Sequence, residues 1–316
     1  YGIKIAVGDV EIALHRSGHI LGSAFVVVRA DGKHLLFTGD LGNNPTLLVP
    51  PPAAFDDIEY LIIESTYGNK IHEGEEERVL NLERAVEDVT ARGGTLMIPA
   101  FATERTQDIL FLLNQMLHEK RIPEIPVFVD APLAIKVTKV FEQHLNFYRD
   151  EIQELYRLHP HLFQFKKLQF TETAEQSKHI NDVRSPKVII AGSGMMTGGR
   201  ILHHARRYLP DPKSILLVIG YQAAGSLGRR LIDGERIIKI FREEVPVGAE
   251  IRKISGFSAH ADNPQLFSFV ESSRDALKKV FVVQGEEAPA LHFSQEVKDR
   301  LGISAEAPEL YQEFEI

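Results

Sequence analysis

Hydrophobic positions alternate with polar ones through the first part of the chain, then change period. Ile3–Val7, Glu11–Leu14, Ala24–Arg29, His34–Thr38 and Tyr60–Glu64 read as strands, being short apolar or alternating runs bounded by turn residues. Asp31-Gly32 between two of them predicts a hairpin, because both residues tolerate a positive φ. The cluster Pro50-Pro51-Pro52 predicts a surface loop.

From Glu75 onward the pattern alternates between helical and strand-like segments. Val79, Leu82, Val86 and Val89 recur at helical spacing up to Gly93-Gly94, and the apolar run Thr95–Pro99 predicts a strand. A helix is expected over 104–119, a strand over Val127–Asp130, and a mostly helical, solvent-facing stretch over 144–176. Strand Lys187–Ala191, helix 200–209 and strand 215–220 continue the alternation, which implies a largely parallel sheet. Strand 251–254, helix Asn263–Ser272, strand 280–283 and helix 290–300 follow. The pattern is that of one α/β domain interrupted by another.

Composition narrows the possibilities without naming a function. The 316 residues suffice for two domains with buried cores, and 44% apolar with 25% charged residues is ordinary for a globular protein. A net charge of −8 confines any contact with a polyanion to a local basic cleft. With no cysteine there are no disulfides or thiolate sites, so a zinc ion would need His, Asp or Glu. No apolar run reaches the roughly eighteen residues of a membrane-spanning helix, and nothing reads as a signal peptide, so a cytoplasmic protein without membrane partners is expected. The chain enters strand-like sequence directly from Tyr1, which suggests a start inside a fold.

Four segments place a His, Asp or Glu among Gly, Ser and Thr at a predicted strand end: Ser17-Gly18-His19-Ile20-Leu21-Gly22, Phe37-Thr38-Gly39-Asp40, Ile63-Glu64-Ser65-Thr66-Tyr67-Gly68 and Gly256-Phe257-Ser258-Ala259-His260-Ala261-Asp262. An imidazole and a carboxylate on neighbouring strand ends can bind Zn²⁺, whereas a lone loop His and a turn-capping Asp would be unremarkable for His19 and Asp40. Glu64 and His260 could form a carboxylate–imidazole pair that prepares a proton donor, or a polar strap between strands. Ala191-Gly192-Ser193-Gly194-Met195-Met196-Thr197-Gly198-Gly199-Arg200 lies between a strand and a helix, where backbone amides can cradle a phosphate. Its glycine spacing is not that of a dinucleotide-binding turn. His203, His204, Arg206, Arg207, Arg229 and Arg230 form the clearly basic region, although a solvated helix face would explain Arg206 and Arg207 equally well.

In this order the four segments resemble those of the metallo-β-lactamase-fold nucleases of the β-CASP group, along the whole chain. The resemblance implies an αββα metallo-β-lactamase fold entered partway through (1–68), an inserted α/β β-CASP domain (69–248) and a return to the first domain (249–316). It also implies zinc-dependent hydrolysis of RNA phosphodiester bonds in RNA processing or decay. His19 and Asp40 would be zinc ligands, Asp40 bridging two ions, with His260 protonating the leaving oxygen and Glu64 orienting it. Ser193, Gly194, Gly198, Gly199, Arg200, His204, Arg229 and Arg230 would meet the RNA, the Gly192–Arg200 and Gly225–Arg230 regions facing one cleft. A homodimer stays open.

The pattern departs from the family in two places. The family's His-x-His-x-Asp-His cluster would precede Tyr1; His159-Pro160-His161 does not match it and is expected to be a surface loop. Gln284 stands where RNA-cleaving members carry a ligand His, and an amide oxygen is a poor zinc donor. His292 is expected on a helix surface. The chain alone is therefore expected to lack a complete dinuclear centre, whether as a piece of a longer nuclease or as a relative that has lost catalysis. A non-catalytic RNA-binding or scaffold subunit and a DNA-directed β-CASP nuclease remain alternatives, with a small-molecule hydrolase of the wider superfamily further off.

Overall fold

The structure is a computed structural model and describes residues 1–316. Strands β1 (Lys4–Val7), β2 (Val10–Arg16), β3 (Ala24–Ala30), β4 (Lys33–Phe37) and β5 (Tyr60–Glu64) come first, β1 to β4 as an antiparallel meander. Asp31 and Gly32, at φ 49° and 70°, make the β3–β4 hairpin that the Asp-Gly pair predicts. The chain then builds α1 (Glu75–Arg92), β6 (Thr95–Pro99), α2 (Arg105–His118), β7 (Val127–Asp130), α3 (Pro132–Gln143), α4 (Asp150–Leu158), β8 (Leu168–Phe170) and α5 (Ala174–His179). It continues with β9 (Lys187–Ala191), α6 (Ile201–Tyr208), β10 (Ile215–Val218), α7 (Leu227–Ile232), hairpin β11 (Ile237–Ile240) and β12 (Glu243–Pro246), and β13 (Glu250–Lys253). α8 (Asn263–Ser272), β14 (Lys279–Val283), α9 (Glu287–Leu301) and β15 (Ser304–Glu306) close it. No helix is long and apolar enough to cross a membrane.

Two compact units result. The first, residues 1–72 and 259–316, holds a seven-stranded sheet ordered β1-β2-β3-β4-β5-β14-β15. Alternation decides its faces. Phe25, Val27, Leu36, Leu61, Ile63, Val280 and Val282 point to one side, where Leu266, Phe267, Val270, Phe293 and Val297 of α8 and α9 complete the core. Ile3, Ile5, Val7, Leu14 and Phe37 remain at the surface of this unit.

The second unit, residues 73–258, holds an all-parallel sheet ordered β13-β10-β6-β9-β7-β8. β6, β7, β9 and β10 are buried along their whole length, which is why they read as unbroken apolar runs. Residues 249–258, expected with the first domain, sit instead in this unit, because β13 pairs in parallel with β10. The stretch 144–176 is not mostly helical. α4 gives way to a loop and to β8, which extends the sheet edge beside β7. Nor is it wholly solvent-facing: Tyr148, Ile152, Leu162 and Phe163 are buried anchors within its polar sequence. Helix α3, with Pro132 in its first turn, was not anticipated.

Candidate metal and RNA sites

In the first unit, loops at the ends of β2, β4 and β5 and the turn before α8 converge. The loop after β2 is cinched by Ser23, whose Oγ accepts from the amides of His19 (3.2 Å) and Ile20 (3.1 Å). Only glycine fits two positions around it. A Cβ on Gly18 would come within 2.6 Å of Pro52 N, and one on Gly42 within 2.1 Å of Gly18 O. That closeness delivers His19 to Asp40, with Nε2 3.5 Å from the carboxylate.

His260 arrives by a different route. Its segment bridges to Gly42, Ala259 O accepting from Asn43 N (2.7 Å) and Ala261 N donating to Leu41 O (2.8 Å). Asp262 caps α8 by accepting from Gln265 N and also accepts from His72 N (3.0 Å), while His72 Nε2 lies 3.0 Å from His260 O. Glu64, fully buried at the end of β5, accepts from Leu41 N (2.6 Å) and from His260 Nδ1, 3.0 Å from both carboxylate oxygens. A carboxylate can only accept, so Nδ1 carries the proton and Nε2 is left for other chemistry.

The structure thus brings His19, Asp40, Glu64 and His260 together from positions spread along most of the chain. Donor atoms of His19, Asp40 and His260 all lie within 4.8 Å of one another. Two imidazoles and a carboxylate suit Zn²⁺, which at catalytic sites takes three protein ligands and an open position. Nε2 of His260 can therefore serve either as a third donor or as the proton carrier that the resemblance implies, but not as both at once. Gln284 reaches the same place from the end of β14, but its amide nitrogen donates to Asp40 Oδ1. That makes it a hydrogen-bond partner of the carboxylate through its N–H, and only its carbonyl oxygen would have a lone pair to offer a cation. His159 and His161 lie in an exposed loop and His292 is exposed on α9.

In the second unit the two glycine-rich segments meet. Gln222 Nε2 donates to Gly194 O (2.9 Å) and Gly228 N to Met195 O (3.4 Å). The loop after β9 folds on itself: Ser193 Oγ accepts from the amides of Thr197 (3.1 Å) and Gly198 (3.2 Å). Gly199, at φ 79°, sits where a Cβ would come within 2.3 Å of Gly192 O. The amides expected to cradle a phosphate are therefore partly spent inside the loop.

Arg200 and His204 do not point outward as free cations. Both are held by Asp130, a fully buried carboxylate at the end of β7. Asp130 accepts from Arg200 Nη1 (2.7 Å), His204 Nε2 (2.7 Å), Thr171 Oγ1 (2.6 Å) and Ser177 Oγ (2.6 Å). Burial pushes its carboxyl up, but the hydrogen bonds from His204, Ser177, Thr171 and Arg200 outweigh that and hold it down at about 2. Arg229 pairs with Asp233, Arg230 with Glu235 and Arg206 with Glu243, which mutes the expected positive patch.

Sequence reading missed Asp130, although Val129-Asp130-Ala131-Pro132 repeats the pattern of an acid at a strand end. It also missed His72 and a buried grip on residues 255–257. There Arg78 Nη1 donates to Gly256 O (3.0 Å), Arg105 Nη1 to Phe257 O, and Glu73 accepts from Gly256 N (2.7 Å) and Ser255 Oγ.

Residues 106–231 match the Beta-Casp domain, and residues 244–308 match a domain described as a Zn-dependent metallo-hydrolase RNA specificity domain. Ribonuclease TTHA0252 of Thermus thermophilus is 35% identical over 291 residues, covering 92% of this chain and 66% of that protein. An RNase J-like protein of Methanocaldococcus jannaschii is 32% identical over 305 residues, 95% of this chain and 69% of its own length. Transcription termination factor FttA of Pyrococcus horikoshii is 32% identical over 312 residues, 95% of this chain and 48% of its own length. The chain thus spans about two thirds of the first two relatives and about half of the third. With its parallel-sheet unit inserted in the sequence between the segments that carry Glu64 and His260, the chain belongs to the β-CASP family of metallo-β-lactamase-fold ribonucleases.

Proposed function

We propose that this chain is part of a zinc-dependent RNA phosphodiester hydrolase acting in RNA processing or decay. The observation that carries the reading is the pairing of buried Glu64 with half-buried His260, set beside His19 and Asp40 at converging strand ends. His19 and Asp40 would hold zinc, which when bound supplies Lewis-acid neutralisation of phosphate charge and activation of water. His260, its Nδ1 fixed by Glu64, would present Nε2 to protonate the leaving oxygen. The donors present support at most one weakly held ion, so the chain by itself is expected to bind zinc weakly and to cut RNA slowly or not at all.

Elemental analysis of purified protein, with cleavage of a single-stranded RNA before and after zinc addition and chelation, tests this reading. Two tightly held zinc ions, or zinc lost on His260→Ala as readily as on His19→Ala, would overturn the assignment of roles. The donation of Gln284 to Asp40 favours one second reading, a non-catalytic RNA-binding subunit. RNA binding that persists with no cleavage at saturating zinc would select it.

A further inference from the structure

Phe101 is a large aromatic side chain that packs on one side and stays exposed on the other. It follows β6, in a cavity of about 350 Å³ at the C-terminal ends of the adjacent strands β6, β9 and β7. That edge is where open parallel sheets bind ligands. The ring lies against the glycine-rich loop so closely that a Cβ on Gly194 would come within 2.6 to 2.9 Å of three of its atoms. Even so it stays 39% exposed, and Leu133, 64% exposed, lines the same cavity. The loop thus supports the ring without covering it.

Charge on the walls decides which group would suit the cavity. Its cation, Arg200, is bound by the Asp130 carboxylate and by the carbonyls of Thr171 and Glu172. The Thr197 and Gly198 amides are held by Ser193 Oγ. No uncompensated positive charge is left there for a phosphate. An electrically neutral, flat group with an apolar face fits better. The volume is at the small end of ligand sites, which run from roughly 300 to 1,000 Å³.

We propose that Phe101 is a stacking platform for one unpaired nucleobase of single-stranded RNA, with Leu133 bordering the same base. The inference rests on reading the chain as RNA-binding. It adds a specificity: a base inside a duplex is already stacked on both faces and has none to offer the ring, so paired RNA would be refused at this position. Stacking on an aromatic side chain tolerates any base, so no sequence preference is expected from it.

The test uses the full chain, with a single-stranded RNA oligonucleotide carrying 2-aminopurine and the same strand in a duplex, titrated at several salt concentrations. Phe101→Leu and Phe101→Trp are compared after circular dichroism has shown that each is folded. The single strand is expected to bind with quenching of 2-aminopurine, and Phe101→Leu to weaken it by about 5- to 150-fold. Phe101→Trp should keep binding near the native level. Because no phosphate contact is lost, the slope of affinity against salt should not change in Phe101→Leu. Native affinity in Phe101→Leu, or a loss accompanied by a shallower salt slope, overturns the stacking proposal while leaving RNA binding intact. If the native chain binds no single-stranded RNA at any salt concentration, the functional reading fails and the proposal with it.

Discussion

Asp130 offers the sharpest energetic test of the second unit. Its carboxylate is fully buried and receives four hydrogen bonds at 2.6 to 2.7 Å, two of them from the basic side chains Arg200 and His204. Asn at this position keeps the shape but has one accepting oxygen for those four donors and no charge for Arg200. Removing one partner of a buried charged network costs about 3–5 kcal/mol. The pH dependence supplies a second number. The native carboxyl titrates at about 2 against an ordinary 3.8, a difference worth about 2 kcal/mol. A depressed pKa stabilises the fold above the unfolded value, and that stability is lost as pH falls through the native one. The penalty of Asp130→Asn should therefore be about 3–5 kcal/mol near pH 6 and shrink by about 2 kcal/mol on going from pH 4 to pH 2. Urea titrations followed by circular dichroism measure it, with hydrogen exchange of β7 and β9 amides near pH 6 assigning the transition to this unit. A penalty below about 1 kcal/mol, or one that is constant down to pH 2, would refute the view of Asp130 as a charged hub.

Three further outcomes are expected. Glu64→Gln should release His260 from a single tautomer, visible in nitrogen-detected imidazole spectra, and cost about 1–3 kcal/mol for the buried donors left unmet; an unchanged tautomer would show that Glu64 does not hold the ring. Gln284→His should raise zinc stoichiometry in elemental analysis, because the residue contacts Asp40 and His tolerates the positive φ of 67° better than most residues; unchanged zinc content would remove this position from the metal site. Arg229→Ala with Arg230→Ala should lower the salt slope of RNA binding by about 1, since their exposed pairs with Asp233 and Glu235 are weak enough to exchange for phosphate; an unchanged slope would make the patch a solvated surface.

Much of the architecture was legible because local rules and tertiary demands agreed. Thr95–Pro99, Val127–Asp130, Lys187–Ala191 and Tyr60–Glu64 form strands with the expected boundaries. A central parallel strand is apolar on both faces and needs no partner to be recognised. His19, Asp40, Glu64 and His260 were legible for another reason: each lies in a glycine- and serine-rich turn whose composition reflects a close backbone approach, as Gly18 against Pro52 illustrates. The stretch 144–176 misled because its buried anchors, Tyr148, Ile152, Leu162 and Phe163, follow neither a helical nor a strand period.

What the sequence determined by itself is therefore the central strands and the longer helices, the interruption of one α/β unit by another and the chemical types gathered at the strand ends. Tertiary structure alone decided which groups are free to act. Arg200 and His204 look like substrate-binding cations in the sequence, but Asp130, seventy-odd residues upstream, binds both in a buried network. Gln284 looks like a failed ligand and proves to be a donor to Asp40. Composition places charge on a chain, but whether that charge meets solvent, a metal or a buried counter-ion depends on contacts between residues far apart in sequence. Those contacts exist only once the sheets have set the register of their loops.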